Sequence, residues 1–195
     1  MALGFVSTVS TDGSSRLTAR FGSIPSGIAG VRATLKHMVQ IVRASLNPPS
    51  GDAEKINALL ILRTTAQQAV QSCPEKNWTC EAGVLQNLVQ TKIRYVRDMR
   101  SAETLQYPLQ TLQLASGDCD DKAILLSVLA ECIGFHTRFC AIGVRGEEYS
   151  HVSAQLLIPG NGWANAETIP IDAQGTKAAL GWFPPDATCL MLAHI

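Results

Sequence analysis

Gly117-Asp118-Cys119-Asp120-Asp121-Lys122-Ala123 decides the architecture of this chain. Gly-Asp makes a turn, Asp118 or Ser116 caps a helix, and the run 119–133 that follows is apolar at helical spacing until Gly134 stops it. Cys119 therefore falls in the first turn of a helix. Unpaired amides and the positive end of the dipole favour a thiolate there and can donate to an oxyanion, so the position suits a nucleophile. Asp118, Asp120 and Asp121 crowd the thiol, and each raises its pKa by like-charge repulsion. A paired imidazolium has to offset them. The three acids read as a capped, solvated helix start, and neither a metal nor another cofactor is expected.

Downstream of this helix the segments 137–144, 151–158, 163–169 and 188–193 read as strands separated by Gly, Pro and Asn turns. Upstream, Val31, Leu35, Met38, Val42 and Leu46 form one helical stripe, closed by Asn47-Pro48-Pro49-Ser50-Gly51. Further helices fit 53–72 and 82–96. Helices first and strands afterwards indicate an α+β fold, with a helical layer packed on an antiparallel sheet.

His151 opens the strand His151-Val152-Ser153-Ala154-Gln155-Leu156-Leu157-Ile158, and its ring should point away from the apolar face. The next strand follows Pro159-Gly160-Asn161-Gly162, so the two should form a hairpin. Paired residues share a face, which fixes the parity of the register. A loop of three or five residues, or a bulge, sets Ser153 opposite Glu167 and His151 diagonal to Glu167.

Composition bounds the function. The chain has 195 residues, 46% of them apolar, which is one domain with a sizeable core. Sixteen Lys and Arg balance sixteen Asp and Glu, so no net field steers phosphates, and nucleic acid is not an expected partner. Charged residues reach only 16%, below the roughly 25% of an average soluble chain, so the surface is largely neutral and tolerates protein contacts. No run approaches a membrane span, and Met1-Ala2-Leu3-Gly4-Phe5 has no basic leader, which gives a cytoplasmic reading with mostly free thiols. Cys73 and Cys80 bracket a loop that can pair or bind metal. Cys132, Cys140 and Cys189 read as packing. Residues 1–30, rich in Ser, Thr and Gly, read as an arm or hairpin for assembly contacts; 31–195 forms the domain, helical over 31–98 with the chemistry in 99–195.

In order, Gly117-Asp118-Cys119-Asp120-Asp121-Lys122-Ala123, Gly134-Phe135-His136-Thr137-Arg138, Tyr149-Ser150-His151-Val152, and Gly162-Trp163 with an acid four residues after the Trp resemble the transglutaminase-like superfamily. Within it, the chain is similar to the small versions carried by bacteriophages and prophages, over 96–185. The resemblance implies a papain-like core with the nucleophile at a helix N-terminus and a Cys119–His151–Glu167 triad for acyl transfer on a peptide or carboxamide. It adds Gln113 as an oxyanion donor, Asp118 and Trp163 as supporting residues, and Asp172 as an alternative third member. Glu167 stands where many relatives carry Asp, and Ser153 where many carry an aromatic. Two classes of function follow: a cysteine hydrolase or acyltransferase acting on protein or peptide, or a virion structural protein of tail or head that binds phage neighbours through residues 1–30.

Overall fold

The computed structural model describes residues 4–6, 27–98, 102–144 and 149–195. Of the arm expected at 1–30, residues 4–6 and 27–30 are described, and the rest lies outside these. In chain order the elements are β1 (Gly4–Val6), α1 (Ile28–Leu46), α2 (Ala53–Val70), α3 (Trp78–Lys92), β2 (Arg94–Tyr95), β3 (Ala102–Thr104), α4 (Pro108–Leu114), β4 (Ser116–Gly117), α5 (Cys119–Glu131), β5 (Thr137–Val144), β6 (His151–Ile158), β7 (Gly162–Ala166) and β8 (Ala187–His194).

The α+β reading holds. β7-β6-β5-β8 form one antiparallel sheet, and α5 packs on it, chiefly against β6, with α1, α2, α3 and α4 around its other sides. A helix apolar on all faces has to be enclosed in this way. Every residue of α5 from Asp120 to Ala130 is buried. Its Ile124, Leu125, Val128 and Leu129 meet Leu35, Met38 and Val42 of α1, Leu62 of α2, Leu85 and Val89 of α3, and the inward residues Phe139, Ala141, Val152, Ala154 and Leu156 of the sheet in one core. Burial of each large member contributes about 1.5–3 kcal/mol.

Local sequence sets the ends of these elements. Asp52 and Asn77 cap α2 and α3 through their side chains. Gly134, at φ 101°, takes the left-handed turn that ends α5, while Glu131 Oε1 accepts from the amide and hydroxyl of Thr137 and so ties the helix end to β5. Trp78 packs edge-on against Phe135, ring centres 5.6 Å apart, joining α3 to that turn.

The structure corrects several boundaries. The third helix starts at Trp78 and ends at Lys92, because Arg94 and Tyr95 leave it to pair in parallel with Ser116 and Gly117. α4 and the two-stranded β1–β3 and β2–β4 pairs were not expected from the sequence. The cysteines are not all free: Cys73 and Cys80 form a disulfide that staples the loop before α3, whereas Cys140 is buried and Cys132 half-buried. Among the described residues, no helix is long and apolar enough to cross a membrane.

α4 ends on Ala115, held at φ 50°, ψ 32°, in the left-handed region that costs a Cβ-bearing residue about 1–2 kcal/mol. Ala115→Gly is therefore expected to raise stability by about 1 kcal/mol in chemical denaturation. An unchanged midpoint would show that this turn carries no strain.

Candidate active site

Three short pieces of chain hold the helix start at Cys119. β2 lies beside β4, with Arg94 N donating to Ala115 O at 2.8 Å and Val96 N to Gly117 O at 3.0 Å, so the backbone before Cys119 is fixed. Asp118 then caps α5: its Oδ1 accepts from the amides of Asp120 (2.9 Å) and Asp121 (3.1 Å), while Asp121 accepts in return from the Asp118 amide (3.3 Å). This reciprocal box satisfies first-turn amides that burial would otherwise orphan. Asp121 also accepts from the Gln106 amide at 2.7 Å, which docks the approach to α4. Gly117 is required here because a Cβ on it would come within 2.6 Å of the Asp121 Cβ.

Cys119 is half-buried, and its Sγ lies 3.5 Å from Asp120 Oδ1. Burial pushes the thiol pKa well up, and the charges on Asp120 and Asp118 push it further. A hydrogen bond from the Val152 amide works the other way without reversing the sum. That interaction puts the sulfur near Val152, the second residue of β6. The expectation that the helix start favours a thiolate is thus outweighed in the resting protein. Tyr95, which the sequence did not single out, faces the same cluster. Its phenol is pushed up first by burial and further by the neighbouring Cys119 and the Asp118 carboxylate.

The hairpin takes the three-residue loop. Ile158 pairs with Gly162 and Ala154 with Ala166, so Pro159-Gly160-Asn161 turns the chain, and the register runs on to bring Glu167 over His151. His151 Nε2 lies 2.6 Å from Glu167 Oε2, with the two side chains 12% and 2% exposed. Glu167 Oε1 is spent on the amides of Thr168 (2.8 Å) and Ile169 (3.0 Å). Two glutamines one turn apart on α3 grip the same residue from behind: Gln86 Nε2 (2.9 Å) and Gln90 Nε2 (2.8 Å) both donate to the Glu167 carbonyl and also to that of Ala178. Below His151, Ser153 Oγ donates to Asn165 Oδ1 at 2.6 Å, and Asn165 Nδ2 to the Trp182 carbonyl, so a serine with a polar partner fills this buried position.

The remaining predicted residues are dispersed. Asp172 is exposed and folds onto its own turn, accepting from the amides of Gln174 and Thr176, so Glu167 is the carboxylate that meets His151. Trp163, expected as a supporting residue, lies away from His151. It pairs with Leu157 at the far end of β6, about 20 Å along the strand from His151, and lies under Arg138 and edge-on to His194. Gln113 is exposed in the last turn of α4. Asp118, Cys119 and Asp120 offer ligand atoms within 4.8 Å of one another, but the Asp118 carboxylate is already committed to the helix cap.

The sequence profile of the transglutaminase-like superfamily matches residues 63–168, just over half of the chain, and the chain belongs to that superfamily. Among solved structures it resembles a candidate protease of Parabacteroides distasonis, at 11% identity and TM-score 0.53, over 85% of this chain but only 36% of that one. It also resembles LapG of Legionella pneumophila (13% identity, TM-score 0.49, 77% of this chain and 80% of that one). A third likeness is to a candidate cysteine protease of Cytophaga hutchinsonii (14% identity, TM-score 0.45, 74% and 57%). At these identities the likeness is one of fold. No curated protein sequence matches the chain.

Two outcomes follow from the helix start. Gly117→Ala should displace Asp121, lower stability by about 1–3 kcal/mol and slow alkylation of Cys119. Gly83→Ala, with open space around its Cβ, should do neither. Asp120→Asn removes a charge that raises the thiol pKa, so its iodoacetamide alkylation profile should shift to lower pH than that of the wild type, whose rate should still be rising above pH 9. A profile that stays in place would mean that Asp120 does not set the protonation of Cys119.

Proposed function

We propose that the chain is a cysteine hydrolase or acyltransferase acting on a peptide or carboxamide bond of a protein or peptide substrate, through Cys119, His151 and Glu167. The observation that carries this reading is the buried 2.6 Å contact between His151 Nε2 and Glu167, on the strand whose next amide reaches the Cys119 sulfur. An ionised carboxylate only accepts, so Nε2 carries the proton in that contact and Nδ1 is left as the base. The Cys119 sulfur attacks the carbonyl carbon as its proton passes to Nδ1. The carbon–nitrogen bond then breaks, with the amine leaving on that same proton, and a thioester remains. Water or a second amine cleaves the thioester and restores the thiol. The Cys119 amide serves as one oxyanion donor, and the Tyr95 hydroxyl, which faces the same cluster, is the side-chain candidate for the second.

A resting thiol held protonated fits this order of events. The proton moves when the acyl group arrives, and no standing ion pair is needed.

A second reading, a virion structural part that keeps the fold, draws support from edge strand β8, where Leu190 and Leu192 are 55% and 44% exposed on a charge-poor surface.

The test uses p-nitrophenyl acetate, an acyl donor that needs no recognition. The wild type should release a burst of nitrophenol and carry one acetyl group on Cys119 by mass spectrometry. Cys119→Ala and His151→Ala should show no burst, and Glu167→Gln should slow it by about 10²–10⁴-fold. Faster discharge of the acetyl group by an added primary amine than by water alone would assign acyl transfer over hydrolysis. A burst indifferent to His151 and Glu167 would leave the structural reading standing.

A further inference from the structure

The β6–β7 ladder ends at Ala166, so the buried carbonyl of Glu167 needs a donor from elsewhere. α3 supplies it twice. Gln86 and Gln90 stand one turn apart on one face of that helix. Each Nε2 donates both to the Glu167 carbonyl (2.9 and 2.8 Å) and to the Ala178 carbonyl (3.2 and 2.9 Å). A carboxamide nitrogen has two hydrogens and a carbonyl oxygen two lone pairs, so the four bonds close a square in which every group is satisfied. The hold then passes through one peptide plane. The carbonyl of Glu167 and the amide of Thr168 belong to the same planar trans unit and point in opposite directions. With its oxygen fixed on α3, that unit aims its N–H at Glu167 Oε1, which it meets at 2.8 Å. The Ile169 amide adds a second donor at 3.0 Å. Oε1 is thereby fixed, and Oε2 is left 2.6 Å from His151 Nε2. A turn of the plane would break bonds on both sides at once.

We infer that Gln86 and Gln90 are positioning residues for the His151–Glu167 pair: they set the Glu167–Thr168 peptide plane, which holds the carboxylate where it accepts from Nε2 of His151 and leaves Nδ1 free as the base. This role rests on the triad reading proposed above. The two amides are redundant, since either one alone reaches both carbonyls. Loss of one should therefore change little, and loss of both should release the plane.

Leucine keeps most of the bulk of glutamine and removes its donors. Gln86→Leu and Gln90→Leu should each slow acetylation of Cys119 by p-nitrophenyl acetate less than about twofold, and the double variant about twentyfold, well beyond the product of the two. A double variant no slower than that product overturns the inference. A spectroscopic measurement separates positioning from lost stability. By NMR of ¹⁵N-labelled histidine, at a pH where the ring is neutral, His151 should be a single Nε2–H tautomer in the wild type and in each single variant. In the double variant it should be a mixture of both tautomers, and a single tautomer there overturns the inference. A third measurement depends on no variant's folding. In wild type labelled with ¹⁵N-glutamine, the side-chain amides of Gln86 and Gln90 should exchange with deuterium at least about tenfold more slowly than that of the exposed Gln67. Exchange at the same rate overturns the inference. The two ideas fail separately. An unreactive wild-type Cys119 with a His151 tautomer that depends on the glutamines sinks the triad and leaves the positioning, whereas a reactive Cys119 with a tautomer indifferent to the double variant sinks the positioning role.

Discussion

A helix that is apolar on every side is stable only when enclosed on every side, and enclosure carries the unpaired amides of its first turn into the interior. α5 has to meet that condition with its own first residues. Asp118 and Asp121 do so reciprocally, and the remaining acceptor capacity of Asp121 draws in the Gln106 amide. The demand on space propagates backwards: Gly117 can carry no side chain because Asp121 fills the volume next to it. The short β2–β4 pair fixes the strand that delivers Gly117 to this point. The Gly-Asp-Cys-Asp-Asp run is thus one solution to one problem, the capping of a buried helix, and Cys119 occupies the N1 position that the solution creates.

The same solution opposes the ionisation of a thiol. A helix end offers about half a unit of positive charge, whereas Asp118 and Asp120 each bring a full negative one into a site poor in water. The carboxylates and the burial prevail, and the Cys119 thiol stays protonated at rest. A neutral thiol resists oxidation and stray alkylation, since the thiolate is the reactive form. Any proton the thiol loses has to go to a neighbouring group, and the imidazole of His151, one residue before Val152, is held by Glu167.

The legible parts of the chain were those governed by strict local rules. The start of α5 was readable because a cap residue and an apolar run leave little choice of position. The β6–β7 register was readable because side chains alternate with period two, so a His and a Glu that must share a face admit only odd loops; Pro159-Gly160-Asn161 is such a loop. The second and third helices were recognised, but the third was extended to Val96, since nothing in Ile93-Arg94-Tyr95-Val96 breaks a helix. Its actual end is set by Ser116 and Gly117, twenty-odd residues away. α4 spans only seven residues, too few for periodicity to register, although Pro108 at its start was a local sign. Gln86 and Gln90 carried a weak signal, two amides at helical spacing next to the buried Leu85 and Val89. Their target at Glu167 lies 81 and 77 residues on, beyond any local pattern. Trp163 and Asp172 misled for the same reason in reverse, because nearness in sequence to Glu167 did not become nearness to His151.

Glutamate at position 167 is chemically suited to this setting. One carboxylate has to meet two obligations at once: its Oε2 receives the imidazole, while its Oε1 receives the amides of Thr168 and Ile169, where the chain leaves the sheet and those donors lose their strand partners. The longer side chain allows it to fold back on its own backbone and still reach across the hairpin. The backbone beneath it is in turn held by α3, through two glutamines that also fasten the Ala178 carbonyl. The orientation of the His151 ring, set by Glu167, therefore depends in turn on how α3 packs.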